Sequence, residues 1–116
     1  MRGVRTTVDT AAARSRLEAM LVDLDRSIAI LRGETPERDS SAADAGAGLT
    51  DHDRVQAALD SLERHRGRVA AALDRIAAGA YGRCVDCGEA VPEGRLEARP
   101  DAARCIACQG RRDRRR

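Results

Sequence analysis

Four cysteines in the last third of the chain form two closely spaced pairs. Two residues separate Cys84 from Cys87 and Cys105 from Cys108, and 17 residues lie between the pairs. Two intervening residues allow a tight turn to direct both sulfurs of a pair at one ion, and two pairs complete the tetrahedral shell that Zn²⁺ prefers. The spacing therefore predicts one Zn²⁺ held by four cysteines. Because four protein ligands leave no position for water or substrate, the predicted site is structural and not catalytic.

Two other chemistries use paired cysteines, namely a thioredoxin-like redox centre and a pair of disulfides. A redox centre would need alternating strands and helices, which the sequence does not predict. Disulfides would need an exported protein, and no apolar segment of an export signal follows the N-terminal arginines. We therefore expect reduced thiols that are available to a metal. Arg83 and Arg104 immediately precede the two pairs, and we expect them to offset the negative charge of four thiolates.

The elements that must position these cysteines are predicted to be helices. The 116-residue chain has one Tyr, no Phe and no Trp, so it lacks the bulky apolar residues that an enzyme cavity or a packed sheet requires. Apolar residues instead recur at alternating spacings of three and four, which is typical of coiled-coil helices. The predicted seam consists of Leu17, Leu21, Leu24, Ile28 and Leu31 in a first helix and Val55, Leu59, Leu62, Arg66, Val69, Leu73 and Ile76 in a second.

The predicted fold class is mainly α, with an antiparallel two-helix coiled-coil hairpin followed by a small four-cysteine zinc finger. Gly33 and Gly79 are expected to end the two helices, since glycine commonly follows a helix C-terminus. The two helices fold back on each other because the connection between them is too short for a parallel arrangement. The predicted domains are a hairpin at 1–78 with a tip loop at about 34–50, a finger at 79–110 and an Arg-rich tail at 111–116.

Charge is distributed unevenly along the chain, although its net value is only +2. Residues 34–53 carry −5, whereas residues 111–116 carry +4. The longest stretch without a charged side chain has seven residues, which is too short to span a membrane. We therefore expect a soluble, cytoplasmic monomer that does not bind membranes. The absence of a nucleophile–base pair, a phosphate-binding loop or an open metal site predicts that the protein is not an enzyme.

Residues 79–108 resemble the zinc finger of the DksA/TraR family of bacterial transcription regulators. The resemblance rests on the pattern Gly-x-Tyr-Gly-x-Cys-x-x-Cys-Gly at 79–88, on the run Arg-Leu-Glu-Ala-Arg-Pro at 95–100 and on the 17-residue gap between the cysteine pairs. Generic zinc ribbons do not share the Arg-Leu-Glu-Ala-Arg-Pro run. A heptad hairpin before the finger agrees with the family's architecture, so the resemblance covers about residues 8–110.

The resemblance implies a protein that binds RNA polymerase directly and does not recognise a promoter sequence. The globular end of such proteins docks at the rim of the secondary channel, and the coiled coil enters the channel. The tip carries an Asp-x-x-Asp-x-Ala pattern and destabilises promoter complexes, often together with ppGpp. The best fit to that pattern here is Ser41, Asp44 and Gly46, of which Asp44 alone keeps the family residue. The two departures weigh against synergy with ppGpp.

Functions from two other classes stay open on the sequence alone. A small zinc-finger module would bind nucleic acid through Arg111–Arg116, because arginine side chains bind phosphate. A structural hairpin would serve only as a protein-interaction element. The acidic region at 34–53 argues against the nucleic-acid module, since phosphates would repel that end of the molecule.

Overall fold

A computed structural model describes residues 9–34 and 49–115. In this part of the chain, helices are joined by turns. Helix α1 spans Thr10–Leu31, α2 spans Leu49–Ala77, α3 spans Glu93–Ala98 and α4 spans Ile106–Arg114. Helices α1 and α2 pack against each other along a molecule that measures 62 × 33 × 21 Å. The predicted mainly α fold class, a helical hairpin followed by a four-cysteine finger, is confirmed.

Both long helices end at a glycine, as the sequence predicts. Gly33 (φ 74°) follows α1 and Gly79 (φ 75°) follows α2. In each case the next amide donates to a carbonyl five residues earlier, at 2.8 Å. This arrangement satisfies the carbonyl groups of the last helical turn, and it needs a left-handed residue that only glycine supplies without strain.

The hairpin core lies between the facing sides of α1 and α2. Leu17 and Val69 are fully buried, and Leu24 and Ala72 complete the buried cluster. The remaining predicted seam positions that pack against this cluster are Leu21, Leu62, Leu73 and Ile76. The seam prediction is wrong at Val55, whose side chain is 38% exposed.

Two ion pairs between α1 and α2 show that the helices are antiparallel, and they also show why Val55 is exposed. Asp25 of α1 pairs with Arg66 of α2, and Arg32, just after α1, pairs with Glu63. The residue number rises in α1 as it falls in α2, so the helices are antiparallel. Val55 precedes Glu63 by about two helical turns. It therefore lies beyond the end of α1, where that helix offers nothing to cover it.

Tyr81 and Asp101 make two of the contacts that pack the finger on the base of the hairpin. Tyr81 contacts the hairpin core and the finger core, and its hydroxyl donates to Pro100 O at 2.8 Å. Asp101 is 5% exposed, and its Oδ2 atom lies 3.5 Å from Arg68 Nε and 3.8 Å from His65 Nε2 of α2. An aromatic anchor and a buried carboxylate facing two basic side chains thus hold the finger against α2.

Most of the predicted Arg-rich tail at 111–116 belongs to a helix. Helix α4 starts inside the finger and continues to Arg114, so the tail arginines up to that residue occupy defined positions on its surface. Among the described residues, no helix combines the length and apolar character needed to cross a membrane.

We predict that Val69→Ala lowers the free energy of unfolding by about 2 kcal/mol, because it removes two buried methyl groups and leaves a cavity. Val22→Ala is the matched control, since Val22 lies on α1 and is 59% exposed. Alanine has the higher helix propensity, so the control should leave stability unchanged or raise it by up to about 0.5 kcal/mol. Urea unfolding of zinc-loaded protein measures both values, and equal effects of the two substitutions would show that the assigned core is wrong.

Candidate metal centre

The four cysteines come together at one point of the finger. All four are free thiols, and their Sγ atoms lie within 4.8 Å of one another. The Sγ atoms of Cys87 and Cys105 are 3.9 Å apart. A tetrahedron with Zn–S distances of about 2.3 Å has edges of about 3.8 Å. The sulfur set therefore fits one tetrahedral ion, with two pairs contributed by separate turns.

The first turn is shaped by backbone hydrogen bonds around Cys84. The Cys84 amide donates to Glu89 O at 2.8 Å, and the Gly88 amide donates back to Cys84 O at 3.0 Å. Gly88 has a φ of 80°, which permits the chain to reverse immediately after Cys87. The Asp86 amide points inward and donates to Cys84 Sγ at 3.4 Å. This turn presents two sulfurs on one side.

The second turn is the beginning of α4. Cys105 is the N-cap residue of this helix, and its Sγ accepts a hydrogen bond from the Cys108 amide at 3.4 Å. The hydrogen bond from the Val85 amide to Ala103 O, at 2.9 Å, ties the two turns together. Beneath them, Val91 and Leu96 form a small buried cluster with Cys84 and Cys108.

The electrostatics of the cluster favour a bound cation. Burial opposes ionisation of the Cys84 thiol, but hydrogen bonds from the backbone amides of Cys105, Cys87 and Asp86 lower its pKa to about 6. Burial and the three neighbouring thiol groups raise the pKa of the Cys108 thiol to about 12. Four thiolates cannot coexist here without positive charge between them. A divalent metal ion supplies that charge, which is the chemistry of a structural C4 zinc site.

Both arginines that the sequence assigns to charge compensation donate to groups of the first cysteine turn, and their role in offsetting thiolate charge stays a prediction. Arg83 donates to Gly88 O at 3.0 Å, and Arg104 donates to Asp86 Oδ2 at 2.7 Å. The guanidinium that donates to a cysteine sulfur is that of Arg111, whose Nη2 lies 3.1 Å from Cys108 Sγ. The residues predicted for the tip lie outside the described part of the chain; they are Ser41, Asp44 and Gly46.

A basic groove between α2 and the finger was not visible in the sequence. It has a volume of about 720 Å³, and its single acidic side chain is the buried Asp101. Its seven arginines come from α2, α3, α4 and the connecting turns, so no local run of charge predicts it. These are Arg64, Arg68, Arg75, Arg95, Arg99, Arg104 and Arg112.

We predict that the purified chain holds one zinc ion and that Cys105→Ser loses most of it, because three thiolates leave the tetrahedral set incomplete. Zinc per chain is measured by elemental analysis. Tyr81, the single aromatic residue, reports by its fluorescence whether the finger still packs on the hairpin. Ala107→Ser is the matched control, because this neighbouring residue is exposed and carries no ligand atom. Full zinc content in Cys105→Ser would contradict the site.

Comparisons with known proteins extend over the finger and the hairpin. Residues 79–114 match the family described as the prokaryotic DksA/TraR C4-type zinc finger. The RNA polymerase-binding transcription factor DksA of Caulobacter vibrioides strain NA1000 / CB15N is 32% identical over 98 residues, covering 84% of this chain and 68% of that protein. The protein of the same name from strain ATCC 19089 / CIP 103742 / CB 15 matches to the same extent.

Solved structures show the same architecture. Transcription factor DksA2 from Pseudomonas aeruginosa matches with a TM-score of 0.73 and 25% identity, over 96% of this chain and 90% of that chain. The DnaK suppressor protein from Agrobacterium tumefaciens C58 shares the fold with a TM-score of 0.56 and 24% identity, over 90% and 94% of the two chains. Because the similarity to the Caulobacter protein covers hairpin and finger together, this chain belongs to the DksA/TraR family of C4-type zinc-finger proteins.

Proposed function

We propose that this protein is a cytoplasmic, monomeric transcription factor that binds RNA polymerase, with Cys84, Cys87, Cys105 and Cys108 holding one structural Zn²⁺. The observation that carries this proposal is the extent of the match to the Caulobacter DksA, which covers 84% of the chain. A zinc module that acts on nucleic acid would need to share only the finger. Similarity along the hairpin as well favours a function in which both parts take part.

The shape of the molecule supports a docking mechanism. Helix α2 has 29 residues and is therefore about 44 Å long, and a pair of packed helices is about 20 Å wide. Such a rod suits insertion into a channel of its partner. Because Tyr81 and Asp101 hold the finger against the rod, contacts made at the base also determine where the opposite end lies. We propose that the base docks at the rim of the polymerase secondary channel and that the tip acts inside the channel.

The basic groove favours binding of negatively charged groups at the docking end of the molecule. Arginine binds carboxylates and phosphates through two parallel hydrogen bonds, so the groove suits an acidic protein surface. The same chemistry suits the phosphates of ppGpp, although the departures at Ser41 and Gly46 weigh against synergy with this small molecule. The tip has the opposite charge, and we propose that its Asp44 acts near the catalytic Mg²⁺ of the polymerase. Two ends of opposite charge favour one direction of insertion.

We predict that the zinc-loaded chain binds core RNA polymerase of its host in a direct titration. Affinity should fall with rising salt because the groove contributes through charge. The double variant Arg64→Gln/Arg99→Gln should weaken binding about tenfold, since it removes two exposed groove arginines. Arg14→Gln/Arg26→Gln is the matched control on α1, outside the groove. No binding by wild type would refute the proposal, and binding of DNA instead would favour the nucleic-acid module.

A second prediction separates the tip from the base. Asp44→Asn removes one carboxylate with little change in size, so it should reduce the effect on open-complex lifetime severalfold while polymerase affinity stays within about twofold. Asp39→Asn makes the same change outside the family pattern and should alter neither quantity. Ser41→Asp/Gly46→Ala restores the pattern and should strengthen the effect. If wild type shortens promoter lifetimes and Asp44→Asn does so equally, the tip mechanism is wrong.

A further inference from the structure

The metal centre creates a charge that the protein must offset. Zn²⁺ and four thiolates leave two net negative charges, and the Cys84 and Cys108 sulfurs are largely shielded from water. Burial of charge is unfavourable unless hydrogen-bond donors or cations face it. Backbone amides already donate to sulfur, among them those of Asp86 and Cys108. They provide dipoles but no positive charge.

Arg111 provides the positive charge. Its Nη2 atom lies 3.1 Å from Cys108 Sγ, which is hydrogen-bond distance for a sulfur acceptor. The two residues are three positions apart in α4 and therefore share one face of the helix. Cys105 caps the same helix through its own sulfur. The position of the guanidinium is thus set by the helix that carries two of the four cysteines.

We propose that Arg111 is a positioning residue of the zinc centre, which compensates the charge of the Cys108 thiolate and slows the release of the metal. The inference rests on the zinc site proposed above. It assigns to the metal site an arginine that the sequence alone places in a phosphate-binding tail. A guanidinium at hydrogen-bond distance from Cys108 Sγ offsets part of the net negative charge of a centre with four thiolates and one Zn²⁺. Loss of this contact leaves the zinc-loaded centre with more uncompensated negative charge, which favours release of the metal.

The test is zinc release from the loaded full-length chain to the chromophoric chelator 4-(2-pyridylazo)resorcinol. Arg111→Gln should release zinc about tenfold faster than wild type, the lower end of what removal of a partner of a metal ligand usually costs, because the side chain is exposed. Arg111→Lys keeps the charge and should recover part of the loss. The Arg111→Gln effect should shrink at high salt, as screening weakens the attraction in wild type.

Arg114→Gln is the matched control, with the same change of charge in the last turn of the same helix. It should release zinc at the wild-type rate. Equal rates for wild type and Arg111→Gln, or equal acceleration by Arg111→Gln and Arg114→Gln, would overturn the assignment. Wild-type protein without zinc would overturn the metal site and this inference together. Polymerase binding by zinc-loaded Arg111→Gln, measured in parallel, tests the proposed function separately.

Discussion

The convergence of four sulfurs on one point is the constraint on which the finger depends. Residues 80–92 and 99–105 contain one isolated β-bridge and no helix, and the apolar residues buried beneath the sulfurs are Val91 and Leu96. So small a core cannot order this length of chain, and a bound metal ion replaces the missing apolar contacts. Pro100 and Asp101 lie between the two cysteine pairs. The same constraint therefore also holds the contacts that join the finger to the hairpin.

The hairpin solves a different problem, because it must be stable without large side chains. Its core is a single line of contacts in which Leu17 and Val69 are fully buried, and Ala72 lets the two helices approach closely. Ion pairs at Asp25–Arg66 and Arg32–Glu63 flank this line on half-exposed side chains. Pairs at such positions contribute little to stability, but they disfavour other registers. The buried seam thus provides most of the stability of the hairpin, and the two ion pairs favour the observed alignment of α1 with α2.

The sequence predicts those features that depend on local spacing. Heptads locate the helices, and cysteine spacing locates the metal site, since both patterns repeat over a few residues. The exposure of Val55 depends on where the other helix ends, which its own neighbours do not encode. The contact of Arg111 with a cysteine sulfur was also missed, because it depends on the register of α4 and not on a position directly before a cysteine pair. The burial of Asp101 could not be predicted from the sequence, because acidic residues in loops are usually exposed to solvent.

The arginine groove and the acidic segment at 34–53 are separated along the hairpin by the way the chain connects its helices. The arginine groove lies beside the finger, whereas α1 ends at Leu31 and α2 begins at Leu49, so the acidic region between them follows the far end of the hairpin. A molecule with separated charges is oriented by the field of its partner before contact. An acidic end is drawn towards bound divalent cations, and a basic end is drawn towards acidic surfaces or phosphates. Orientation then follows from charge, while the metal-bound finger gives the basic end a fixed shape.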